Sequence, residues 1–190
     1  AGTLFGWDYD QVDKVDIDPL GKIVDGWKAA KPTGVRKVLW KEGDAISVNG
    51  IVSNPLAKSY DGTTTAEFTF DNPIQAPYNV LYPAVTGTTI SVPAQQNYVK
   101  GSFDSNATPL YGCGDSQSIQ LHNLCDILRF GFTGSCSLDR MELTAVGNEP
   151  VSEEAEMELV DGKLSGNFDF AAGASPDLAI VFPDGGLVLS

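Results

Sequence analysis

One histidine, three cysteines and 25 acidic side chains are the residues of this 190-residue chain whose spacing could support chemistry. His122 sits in QLHNLC, between apolar positions. A Ser–His–Asp arrangement needs the imidazole beside a serine and a buried carboxylate. No nucleophile-elbow sequence occurs anywhere in the chain, so His122 reads as a surface histidine of a strand or helix. Zinc takes four thiolate or imidazole ligands, usually as two close pairs. Cys113, His122, Cys125 and Cys136 supply one close pair, His122 with Cys125. Buried, inert thiols are the better reading, and an odd count leaves at least one of them free.

Carboxylates fare no better. The run DYDQVDKVDID invites calcium, but an EF-hand loop needs glycine at its sixth position and glutamate at its twelfth. Counted from Asp8, those places hold Asp13 and Pro19. A solvated acidic strand edge fits the run better, because charge discourages edge-to-edge pairing. Glycoside hydrolysis uses carboxylate pairs that meet only in space, and no spacing in the chain announces one. Asn106-Ala107-Thr108 fits the glycosylation sequon, a short pattern that carries meaning only in a eukaryotic secretory route. GCGDSQ lacks the lysine of a phosphate-cradling loop. These residues form no recognisable active site; we expect no enzyme, no cofactor and no metal.

Charge narrows the partners. The formal net charge is −13, which argues against nucleic acid, since phosphate binding requires clustered Lys and Arg. Seven of the twelve basic residues fall between Lys14 and Lys41, whereas ten acids and only Lys163 follow from Glu142 onward. A basic early segment and an acidic late half could attract each other within or between chains. No stretch approaches the roughly 18 apolar residues of a membrane span.

The elements that position these residues are strands. Apolar and polar residues alternate with period two in Ala45–Val48 and Ala66–Phe70, which places one face in a core and the other in water. VRKVLW, DAISVNGIV, TTTAEFTF, YNVLYPA and TTISV read as strands closed by turn residues. NATPLYGCGDSQ (residues 106–117) reads as a long connection. Leu121–Leu128 fits a strand or a short helix equally, and Glu153–Glu158 is the only other helix candidate. LDRMELTAV, AEMELVDGKLSGNFDF and LAIVFPDGGLVLS complete the set, with hairpins expected at Asp161-Gly162 and Asp184-Gly185. The expected fold is an all-β sandwich of about seven or more mostly antiparallel strands. Residues 1–37 differ in composition and end in the turn-like KPTG; residues 38–190 form the domain proper. The terminal GLVLS reads as a strand beyond which the native chain continues.

Four segments resemble the fimbrillin family, the pilus subunits and related surface adhesins of Bacteroides-type bacteria. Trp40–Val48 is similar to its W-x-x-G-D-x-I-x-V opening strand. Phe68–Phe70 with Tyr78–Ala84 resembles its F-x-F and Y-x-x-Y-P-A segment. Thr89–Gln96 resembles T-I-x-V-P-x-Q-Q, and Leu121–Phe132 resembles the N-L-C-x-x-L-R-F strand. Order and approximate spacing match across residues 40–132. The resemblance implies a transthyretin-like β-sandwich, here the N-terminal of two such domains, the second lying beyond Ser190. It implies export as a lipoprotein to the cell surface, fimbrium or outer membrane, although no anchoring cysteine precedes Cys113. It also implies assembly with other pilus subunits: a trypsin-like protease removes the first strand and a neighbour donates one in its place. On that reading residues 1–37 hold the removable strand. Arg36, Lys37 and Lys28 are the processing candidates, Lys31 being disfavoured by the following Pro32. Host or microbial surface ligands would be further partners. The alternative is a glycan-binding surface lipoprotein module of a polysaccharide uptake system, with Trp7, Trp27 and Trp40 as stacking candidates, although Trp40 is better explained as a core anchor of the first strand. A third class, a hydrolase built on acidic residues, would turn over a polysaccharide.

Overall fold

The computed structural model describes residues 39–100, 103–126, 128 and 130–189. Lys28, Arg36 and Lys37, with the whole leading segment 1–37, lie outside the described residues. So do Trp7 and Trp27, and the expected strand VRKVLW except for Leu39 and Trp40.

The described chain is all-β. A five-stranded sheet has the order β2 (Ile51–Val52), β1 (Ser47–Val48), β3 (Tyr78–Tyr82), β6 (Leu110–Gly114), β7 (His122–Asn123). Three shorter sheets accompany it. One has the order β11 (Lys163–Phe170), β10 (Glu153–Val160), β4 (Thr89–Val92); another runs β5 (Gln95–Asn97), β12 (Asp177–Val181), β9 (Arg140–Thr144). The last pairs β13 (Leu187–Val188) with β8 (Ser137–Leu138). All pairings are antiparallel except β5 with β12. This is the mostly antiparallel, layered β architecture expected from the alternating pattern.

β3 organises the core because successive strand residues point to opposite faces. Leu81 joins Ile90, Ala155, Met157, Leu164 and Phe168 in one buried cluster between the five-stranded sheet and β4, β10 and β11. Val80 and Tyr82 join Ile46, Val48 and Leu110 in a second cluster on the opposite face. Trp40, Phe68 and Phe70 cover that second cluster. The Trp40 ring meets Phe68 at 5.1 Å and Tyr82 at 5.3 Å, both edge-on, a favoured aromatic geometry. Trp40 is thus a core anchor, although it precedes β1 in irregular chain.

Tertiary context changed several local readings. Ala66–Phe70 keeps its alternation, with Phe68 and Phe70 turned inward and Glu67 and Thr69 exposed, but joins no ladder. Its aromatic side chains, not its backbone, are what the core uses. In β1 both faces are covered: Ser47, expected to face water, is 1% exposed, and its Oγ accepts from Val85 N. Leu110–Gly114, read as part of a long connection, is a full strand paired along β3. Small residues are needed there because residues 119–121 cross close over it; a Cβ on Gly112 would lie 2.7 Å from Gln120 O and from Ile119 Cγ2. Leu121–Leu128 forms no helix among its described residues and contributes only β7. Glu153–Glu158 is strand.

The Asp161-Gly162 hairpin forms as expected, with φ of +51° and +76°. At Asp184-Gly185 the chain does turn, but β13 pairs with β8. β12 cannot receive it, since β5 and β9 already occupy both of its edges.

Candidate functional site

Among the described residues no three His, Cys, Asp or Glu side chains converge on a common point that could hold a metal. His122 is an exposed residue of β7, its ring 5.8 Å from that of Tyr111. All three cysteines are free. Two of them overturn the expectation of buried thiols, for Cys113 and Cys136 are exposed. Cys113 lies near the end of β6, and its Sγ donates to Leu164 O of β11 at 3.4 Å. Cys125 is half-buried; burial, with the nearby charge of Asp126, pushes its thiol up to about 11.

The feature with interaction chemistry is one flank of the five-stranded sheet. It begins at Asn49-Gly50, where both φ angles are positive (+52° and +77°), the conformation that lets a two-residue turn join twisted antiparallel strands. The turn joins β1 to β2, and no described strand pairs with the outer edge of β2. The side chains on that edge are apolar and open to solvent: Ile51 is 44% exposed and Val52 46%.

Beside this edge lies a cleft of about 480 Å³. Leu81 and Leu164, both core residues, reach its floor, and Leu159 and Asp161 stand on its wall. Ser47 lines the cleft and pairs directly with Val52; opposed residues share a face, so Val52 lies on the cleft's side of the sheet. Two asparagines fix the walls. Asn49 Nδ2 donates to Gln75 O at 3.0 Å and Pro77 O at 2.9 Å, while its Oδ1 accepts from Asn79 N at 2.9 Å. Asn79 Nδ2 donates to Gly162 O at 2.8 Å, and its Oδ1 accepts from Leu164 N at 2.9 Å. The second amide therefore bridges β3 to the β10–β11 hairpin. Gly50 packs on Gly87, where an added Cβ would lie 3.1 Å from Gly87 N.

The outer face of β10 carries Glu154, Glu156 and Glu158, all exposed. Hydroxyl donors from Thr88 and Thr89 hold Glu156 below the usual carboxylate range. Asn167 and Ser165 do the same for Glu158.

Sequence reasoning missed this flank. Asn-Gly between apolar pairs was a legible hairpin signal; the bridging role of Asn79, 83 residues from Gly162, was not. Among the described residues no helix is long and apolar enough to cross a membrane. Fold and flank together define a class, an all-β layered protein in which no strand among the described residues pairs with the apolar outer edge of β2 beside a cleft. No family model matches the chain, and no curated protein or solved structure matches it.

Proposed function

We propose that this chain is a structural or adhesive cell-surface protein, a fimbrillin-like pilus subunit that assembles by β-strand exchange and performs no catalysis. The observation that carries the reading is the open β2 edge, with Ile51 and Val52 exposed beside a cleft that reaches Leu81 and Leu164. The edge is two residues long, and just beyond it Asn54 N already donates to Thr69 O at 2.8 Å, so a partner would join a short edge and take much of its contact from the exposed apolar side chains. An added strand would gain main-chain hydrogen bonds along β2, and alternate side chains would set its register. The sequence resemblance supplies the rest of the proposal: a transthyretin-like sandwich, a removable strand within residues 1–37, and a surface or fimbrial location.

The rival glycan-binding reading keeps Trp7 and Trp27, which lie outside the described residues, but loses Trp40 as a platform. Trp40 belongs to the core, whereas Tyr98, Phe130 and Phe132 are only partly covered and form a row through buried Phe182.

Limited trypsin digestion of the full chain, followed by mass spectrometry and size-exclusion chromatography, tests the proposal. Strand exchange predicts loss of a fragment ending at Lys28, Arg36 or Lys37 and growth into higher-order species. A clipped but stable monomer would sink it. A tryptophan or tyrosine fluorescence response to oligosaccharides would then favour the rival.

A further inference from the structure

We propose that the outer edge of β9 pairs with the same edge of a second copy of this chain, antiparallel about a two-fold axis at Met141. This pairing is independent of strand exchange at β2. β9 is five residues long and follows β8 with only Asp139 between them. One flank of this run is covered: β12 pairs with β9 and β13 with β8, while Phe182 N donates to Asp139 O and Leu189 N to Cys136 O. No described strand pairs with the other flank. Past the end of β9, Ala145 N donates to Pro176 O on the covered side. Asp139 and Ala145 thus show that the odd-numbered residues spend their main-chain groups on β12. By alternation the N–H and C=O groups of Arg140, Glu142 and Thr144 point outward, where no main-chain partner is found among the described residues.

Charge order identifies the partner. Edge strands are commonly guarded by charge, and charges of one sign repel a copy of the same edge. β9 instead carries one of each sign on its exposed face, Arg140 and Glu142. Opposed residues of an antiparallel pair share a face, and a two-fold axis sets one residue against itself. An axis at Arg140 or at Glu142 opposes like charges. An axis at Met141 opposes Arg140 to Glu142 of the second copy, and by symmetry does so twice. The same register brings the outward main-chain groups of residues 140 and 142 together as hydrogen-bonded pairs. Within one copy Arg140 Nε already bonds Glu142 Oε1 at 2.6 Å, with the two side chains 47% and 67% exposed. So open an ion pair adds little to the monomer, and both members can turn to the second copy at small cost.

Sedimentation velocity of the full, undigested chain over a concentration series tests the pairing. A dimer should form without protease and growth should stop at two copies. Arg140→Glu and Glu142→Arg should each weaken the dimer about tenfold, because each sets two like-charge pairs where two attractive ones stood. The double exchange, Arg140→Glu with Glu142→Arg, should restore it. Both positions are exposed, so all three variants keep the fold. The first single change makes the chain more acidic and the second less. General repulsion between acidic bodies would therefore move the two in opposite directions, whereas the pairing weakens both. A monomer at every concentration, single variants that dimerise like the native chain, or a double exchange that fails to recover overturns the proposal. Growth of trypsin-treated protein reports on strand exchange separately, since that route needs the clip and continues past two copies.

Discussion

Asn79 shows how much a single amide can decide in this molecule. It accepts from Leu164 N and donates to Gly162 O, so replacing it by alanine strips two hydrogen bonds and leaves a partly buried N–H without a partner. Each such loss costs about 1–3 kcal/mol, and urea unfolding of Asn79→Ala should show a destabilisation of at least that size. Glu156 makes a second residue-scale prediction. Its folded pKa lies below the ordinary value because Thr88 and Thr89 donate to it. The unfolded state then binds the proton more readily, so this contribution is complete above the unfolded pKa of about 4.3. It is lost as pH falls through the folded value. Melting temperature plotted from pH 7 to pH 3 should fall less steeply in Glu156→Gln than in the native chain; parallel curves would refute the assignment.

Among the elements, β6 and β2 differ in what they tolerate. β6 pairs along the whole of β3 with residues 119–121 close above it, so Gly112→Ala would force a Cβ against Gln120 O. Overpacking of this kind costs about 1–3 kcal/mol, and thermal unfolding should show it. β2 is the opposite case. Ile51 and Val52 are nearly half exposed, so Val52→Lys should leave the melting temperature within a few degrees while abolishing growth of trypsin-treated protein into larger species. The two-residue strand was within reach of the sequence, because Asn49-Gly50 carries its own turn geometry. β6 was not: LYGCG looks like loop until a neighbouring segment demands small side chains.

Across the whole molecule, the asymmetry of charge has a measurable consequence. A net charge of −13 resists association of like bodies. If the basic leading segment of one copy meets the acidic body of another, raising salt should weaken that contact, since a Debye length of about 10 Å at 0.1 M shrinks to about 3 Å at 1 M. Sedimentation velocity of the intact chain at low and high salt measures this. Assembly driven by the apolar edge alone would persist at high salt.

Sequence by itself determined what is local. Alternation marked Ile46 and Val48 as inward-facing, and they are buried. Asp161-Gly162 specified its own hairpin, and the aromatic weight of Trp40 placed it in a core. Only the tertiary structure decided which strands pair, because pairing depends on residues tens of positions apart and on which edges are already taken. Thus β13 joins β8, Ala66–Phe70 lends side chains without joining a ladder, and Ser47 is buried despite its polarity. The cleft belongs to the same category. Its walls come from four separate stretches of chain, and no short-range pattern encodes their meeting.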